Sequence, residues 1–222
     1  MSLIPPFFLD AVVAIGFGSA AEQVSYQATG FMWGHFVEQV DDKKKLYNVF
    51  LVTNRHVFEG ERKAFVRFNP DSGEMSRQYE INLVDAQDKP LWHAHDDPDV
   101  DVAVIGVNVQ ALRNDGIRFN FFRSDQHVAS RAQATESGIT EGDGVYVLGF
   151  PLGLVGEGRN FVIVREGCIA RVRDCLESRR KEFLIDCSIF PGNSGGPVVT
   201  RPEMTSIEGT KSVNRASQLG RG

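Results

Sequence analysis

Residues 191–197 (PGNSGGP) constrain the fold more than any other stretch of this 222-residue chain. A serine with glycines close by on both sides sits on a backbone that can take turns forbidden to other residues. Such a loop exposes the serine hydroxyl and lets neighbouring N–H groups point at a ligand, as an acyl-transfer nucleophile with an oxyanion hole requires. The same pattern is also typical of a tight turn before a strand, here 197–199, so the rest of the chain has to decide between the two interpretations.

Short apolar or alternating runs, bounded by turn residues, recur along the chain. One short helix is predicted, over 125–136. Because the strands are many and short, with a turn signal about every ten residues, we expect an all-β fold of the barrel or sandwich kind. The predicted strands are 10–16, 30–34, 36–40, 46–53, 65–68, 79–83, 100–107, 143–149, 160–165, 167–173, 182–186 and 197–199.

Composition excludes several classes of function. The net charge of −5 gives no electrostatic support for binding nucleic acid or an anionic membrane. No run approaches the roughly eighteen apolar residues of a membrane span. The chain begins without the basic start and apolar run of a signal peptide, and Cys168, Cys175 and Cys187 form no C-x-x-C pair. Reduced thiols and a cytoplasmic location are therefore expected, and the composition does not set the oligomeric state.

A serine nucleophile needs a base, and the base needs a group that orients it. His56 follows directly on the predicted strand 46–53, in the polar segment where that strand ends. Asp101 precedes an apolar strand whose burial would fix its carboxylate, and Asp99, two residues earlier, is its main competitor.

Four segments together resemble the trypsin-like (chymotrypsin-fold) serine peptidases, and most closely their bacterial HtrA/Deg-like branch. Histidine, aspartate and serine also occur in the order of that family. The resemblance implies two packed six-stranded β-barrels, an N-terminal lobe over 1–115 and an inter-lobe crossing with a C-terminal lobe over 116–222. The four segments are 53–57 (TNRHV), 101–105 (DVAVI), 142–151 (GDGVYVLGFP) and 186–197 (DCSIFPGNSGGP).

Carried over residue by residue, the resemblance implies a serine endopeptidase acting on polypeptides. It makes His56 the general base, Asp101 its orienter and Ser194 the nucleophile, with the N–H groups of Gly192 and Ser194 as the oxyanion hole. No metal or cofactor is expected.

The substrate pocket is implied at Ser188, six residues before the nucleophile, with Ile189 beside it. No carboxylate stands there, so we expect a small or medium apolar side chain before the cleaved bond rather than lysine or arginine. The resemblance ends after Val199, and residues 200–222 are polar, with a weak strand pattern at 212–214. We therefore expect the C-terminal part of the second barrel to be truncated or altered, with no PDZ domain following.

Three alternatives remain open. The first is a catalytically inactive domain on the same fold that binds peptides or proteins. The second is a metal site at His93 and His95 with Asp96 or Asp97, since H-x-H on a strand places both rings on one face. The third, a phosphate loop at 149–158, lacks the G-K-[ST] ending and a following helix.

Overall fold

The computed structural model describes residues 4–73, 75–128, 130–202, 205–208 and 211–214 of the chain. Most of the strands in these residues belong to two curled antiparallel sheets. The nine strands of the first sheet are β1 (Val12–Phe17), β2 (Ser25–Asp41), β3 (Lys44–Thr53), β4 (Lys63–Pro70), β5 (Arg77–Asn82), β6 (His93–Ala94), β7 (Ala103–Gly106), β8 (Ile117–Arg118) and β9 (Phe122–Arg123).

The first sheet has the order β5-β4-β1-β2-β3-β7-β6, with β8 paired to β4 and β9 paired to β2. The predicted strands 30–34 and 36–40 are parts of one strand, β2, which forms a long hairpin with β3. β8 and β9 lie in the segment predicted to cross between lobes, and both pair with the first sheet.

The second sheet has four strands among the residues described, in the order β12-β11-β10-β13. They are β10 (Gly144–Gly149), β11 (Ile163–Arg171), β12 (Leu184–Cys187) and β13 (Val198–Thr200). Within the described residues, the backbone of β14 (Thr205–Glu208) pairs only with that of β15 (Lys211–Asn214), which includes the weak strand pattern at 212–214. The rest of the chain after residue 202 lies outside the described residues.

Helices are few and short: α1 (Pro6–Asp10), α2 (Arg55–Phe58), α3 (Val109–Asn114), α4 (Arg131–Glu136) and α5 (Arg173–Leu176). The helix predicted over 125–136 is limited to α4, because Ser130 caps its N-terminus in a capping box with Gln133. No helix in the described part of the chain has the length and hydropathy needed to cross a membrane.

A small apolar cluster around Val145 and Ile169 lies on the second sheet, and two larger clusters hold the sheets. One fills the inside of the first sheet around Ile15, Met32 and Leu83. The other joins the two sheets, because Val12 and Ala14 of β1 pack against residues of β10 and the loop after it. The observed architecture is the expected all-β one, with strand ends and loops of both sheets brought together on one side.

Candidate active site

His56 is positioned by the end of a buried strand and one helical turn. β3 ends at Thr53, and α2 begins two residues later. Val57 and Phe58, which follow His56, are 7% and 1% exposed and anchor the turn in the core of the first sheet. The histidine side chain points the other way and is 55% exposed. The local sequence therefore buries one side of the turn and presents the imidazole on the other.

Asp101 lies beside His56 because β3 and β7 are neighbours. Their register pairs Thr53 with Ala103, so the residues just before β7 run alongside those just after β3. The Asp101 Oδ2 atom is 2.6 Å from His56 Nδ1, and its Oδ1 accepts a hydrogen bond of 3.0 Å from the His56 backbone N–H. Asn54 donates its side-chain N–H to the Asp101 carbonyl oxygen at 2.7 Å. One carboxylate thus holds both the ring and the backbone of the histidine.

The electrostatics of the pair favour an ionised carboxylate. Partial desolvation raises the pKa of Asp101, but hydrogen bonds from the His56 backbone and ring outweigh it, so the pKa lies below its ordinary value. A charged acceptor at Nδ1 leaves Nε2 as the ring nitrogen able to take a proton. This is the arrangement that a general base in an acyl transfer requires.

The competing carboxylate, Asp99, is not brought to His56. Its backbone N–H donates to Asp97 Oδ1 at 3.1 Å, within a turn that precedes β7. Sequence position left Asp99 and Asp101 open as alternatives, and the β3–β7 register places Asp101 at the ring.

The loop around Ser194 takes a backbone form that needs glycine. Gly192 and Gly195 have φ angles of +97° and +84°. A Cβ at Gly195 would overlap the Thr53 hydroxyl and the Thr29 carbonyl, and one at Gly192 would overlap the carbonyl of Phe150. Gly195 therefore allows the loop to lie directly on the end of β3, and Gly192 allows it to approach the segment after β10.

Hydrogen bonds determine which way the peptide groups of this loop point. The Pro191 carbonyl accepts from Leu152 N–H at 2.6 Å, and the Asn193 carbonyl accepts from Gly196 N–H at 2.9 Å. In a trans peptide the N–H points opposite to the carbonyl. The N–H groups of Gly192 and Ser194 are therefore directed away from these contacts, and neither has a hydrogen-bond partner among the residues described. They are the two donors expected to form an oxyanion hole.

Thr29, which sequence reasoning missed, connects this loop to the strand that leads to His56. Its hydroxyl donates to the Gly192 carbonyl at 2.7 Å and accepts from Phe150 N–H at 3.0 Å. Its backbone N–H donates to the Ser194 carbonyl at 2.9 Å, and its carbonyl accepts from the Thr53 hydroxyl at 2.8 Å. The only sequence signal for this role is that Thr29 is a polar residue at the start of an apolar run.

Ser194 itself is half-buried, and no hydrogen bond joins its hydroxyl to His56 within the described part of the chain. Its loop nevertheless abuts Thr53, three residues before the histidine. Catalytic hydrogen bonds are often long in enzymes without substrate and shorten in the bound complex.

The two residues implied to form the substrate pocket follow directly on β12. Ser188 and Ile189 are both exposed, Ile189 at 51%. Among the residues described, no strand follows β13 in the second sheet. β12 is itself an edge strand of this sheet, so the implied pocket residues lie at a sheet edge.

The other candidate sites are not assembled. His95 Nδ1 accepts a hydrogen bond from Asp97 N–H at 3.0 Å within a local turn, and Asp97 pairs with Lys181. Within the described residues no three His, Cys, Asp or Glu side chains are grouped as metal ligands. The 149–158 loop was the alternative phosphate-binding loop. In the structure it contacts the serine loop, since its Leu152 N–H donates to the Pro191 carbonyl.

The comparisons with known proteins agree with this architecture. Residues 28–203 match the family described as Trypsin-like peptidase domain, so the chain belongs to that family. No curated protein matches the chain. Among solved structures, the MamO protease domain from Magnetospirillum magneticum, in its apo form, aligns over 96% of both chains with a TM-score of 0.51 and 14% identity. This likeness confirms the predicted all-β trypsin-like fold.

Proposed function

We propose that this chain is a serine endopeptidase that hydrolyses peptide bonds through an acyl-enzyme. The observation that carries the proposal is the His56–Asp101 pair, in which one carboxylate holds the ring and the backbone of the same histidine. It lies at the end of the strand on which the Ser194 loop rests.

Each residue has a defined step in the proposed reaction. Ser194 Oγ attacks the scissile carbonyl while His56 Nε2 takes its proton, and the Gly192 and Ser194 N–H groups bind the oxyanion. His56 then gives the proton to the leaving amine as the acyl-enzyme forms, and a water deprotonated by His56 hydrolyses the ester. Asp101 stays ionised and stabilises the imidazolium in both steps. The substrates are polypeptides.

Intact-mass labelling with a fluorophosphonate tests the nucleophile and the oxyanion hole together. We expect one adduct on the wild-type chain and none on Ser194→Ala. The matched control is Ser72→Ala, an exposed serine in the turn between β4 and β5, which should label like wild type. A wild-type chain that is folded but takes no label would contradict the proposal, and so would equal labelling of Ser194→Ala.

The second candidate function is a catalytically inactive domain that binds peptides. It is favoured by the absence of a hydrogen bond between Ser194 and His56, and by a second sheet of four strands, both within the described residues. This candidate predicts that extended peptides bind the wild-type chain and remain uncleaved after prolonged incubation. Mass spectrometry of the recovered peptides separates it from the peptidase.

A further inference from the structure

Arg165 faces the interior side of the second sheet, and no carboxylate of the described residues forms an ion pair with it. In the β10–β11 register Arg165 pairs with Val147, so the two side chains share a face. The same face bears Val145 and Ile169, which belong to an apolar cluster. Glu166, the next residue along β11, points to the other face and pairs with Arg201. An arginine on an apolar face is costly unless something compensates its charge.

The Arg165 side chain contacts an aromatic ring but makes no hydrogen bond to the residues described. The guanidinium carbon lies 4.9 Å from the centre of the Phe190 ring, a cation–π contact. The Nε atom is buried and has no hydrogen-bond partner, and no carboxylate pairs with Arg165 within the part of the chain that the structure describes. A guanidinium above a ring keeps its N–H donors in its own plane, where they can bind a carboxylate by two parallel hydrogen bonds.

The ring under this guanidinium belongs to the segment that leads to the nucleophile. Phe190 follows Ile189, and its carbonyl accepts a hydrogen bond of 3.1 Å from Asn193 N–H in the turn before Ser194. The charge also acts on the end of β12. Burial raises the pKa of the Cys187 thiol, and the nearby Arg165 charge opposes that rise. The cation therefore lies near both ends of the segment 187–190, and the two implied pocket residues lie between these ends.

We propose that Arg165 makes this peptidase prefer substrates with a carboxylate side chain, Glu or Asp, directly before the cleaved bond. The inference rests on the proposed function and names the substrate class of the same site. A substrate carboxylate would supply the missing counter-charge, and the partly desolvated surroundings strengthen such a charge-assisted pair. This differs from the apolar preference expected from Ser188 and Ile189 alone.

Fluorogenic peptides that differ only in the residue before the cleaved bond test the proposal. With Glu, Gln, Ala and Lys at that place, we expect kcat/KM for Glu to exceed that for Gln by about 10- to 100-fold, typical of a hydrogen-bonded charge pair. Arg165→Ala should abolish the Glu-over-Gln ratio, and Arg165→Glu should shift the preference to Lys. The control is Arg171→Ala on the same strand, whose partner is Asp174, and it should keep the wild-type ratio.

Two further measurements keep this proposal separate from the proposed function. Fluorophosphonate labelling of Arg165→Ala at the wild-type rate shows that the variant is folded and its nucleophile intact. Binding of the Glu and Gln peptides to Ser194→Ala, followed by fluorescence anisotropy, requires no turnover and should show the same order of affinity. Equal values for Glu and Gln in this binding assay overturn the Arg165 proposal, whether or not the wild-type chain takes the label. A wild-type chain without label overturns the peptidase and leaves the binding result to decide on Arg165.

Discussion

Thr29 is fully buried, and its hydroxyl and backbone groups are all used between the two sheets. It bonds the carbonyls of Gly192 and Ser194, the two residues whose N–H groups are proposed to bind the oxyanion. A donor aimed at a transition-state charge acts only if its peptide group is held in place beforehand. Thr29 is therefore a positioning residue for the serine loop.

Thr29→Val keeps the shape of this side chain and removes its hydroxyl. The Gly192 carbonyl and the Phe150 N–H would lose their partner in the core, and we expect the free energy of unfolding to fall by about 2–4 kcal/mol. The rate of fluorophosphonate labelling should fall as well. Urea denaturation and labelling rates measure the two effects, and Thr29→Ser, which restores the hydroxyl, should recover most of both. If Thr29→Val labels as fast as wild type, Thr29 does not position the loop.

The two aspartates before β7 provide a matched pair of substitutions. Asp101→Asn keeps the size of the side chain but replaces the charged acceptor at His56, so kcat should fall about 1,000- to 10,000-fold. Asp99→Asn should leave kcat within about twofold of wild type, since Asp99 does not contact the ring. Ester hydrolysis at neutral pH measures both, and the reverse order of effects would assign the orienting role to Asp99.

At the scale of elements, α2 is a single turn that carries the proposed base. Its N-cap residue, Asn54, makes no capping hydrogen bond and instead donates to Asp101. A turn this short is not stable by itself. Burial of Val57 and Phe58, and the Asp101 contacts to His56, therefore hold it in place.

Phe58 is the larger of the two buried anchors of α2. Phe58→Ala should lower the free energy of unfolding by about 3–5 kcal/mol, because it leaves a cavity under the turn. Phe58→Leu should cost about 1 kcal/mol and keep the fold. Denaturant unfolding measures the stabilities, and an Ala variant as stable as the Leu variant would show that the core does not anchor α2.

At the scale of the whole molecule, the two sheets meet through β1 and β10 and leave an apolar cavity of about 350 Å³ nearby. It is lined by residues of both sheets, including Phe31 and Val145, and by Ala134 of α4. The unfilled space between the sheets is consistent with a second sheet that has four strands among the residues described. The division into lobes at residue 115 stays a prediction, since β8 and β9 continue the first sheet beyond it.

A substitution that fills this cavity tests whether the empty space lowers the free energy of unfolding. Ala134→Leu adds three carbons to a side chain that is 9% exposed and lines the cavity, so we expect a gain of about 1–2 kcal/mol in the free energy of unfolding. Ala132→Leu on the same helix, at an exposed position, should change it by less than about 0.5 kcal/mol. Thermal and urea unfolding measure both, and a destabilised Ala134→Leu would show that the space does not accept the larger side chain.

The sequence by itself determined the all-β class, most strand positions, and the glycine-containing loop around Ser194. These features depend on residues close together in the chain, such as alternating apolar residues and glycines with positive φ. It also brought His56, Asp101 and Ser194 forward as candidates, through motifs that each span a few residues.

The tertiary structure alone decided how these segments meet. Asp101 rather than Asp99 reaches His56 because of the β3–β7 register, which pairs residues about fifty positions apart. Thr29 supports a loop more than 160 residues away, and Arg165 lies over Phe190 through the pairing of separate strands. Local propensity carries no information about such contacts, because strand register and long-range hydrogen bonds are set when distant segments pack.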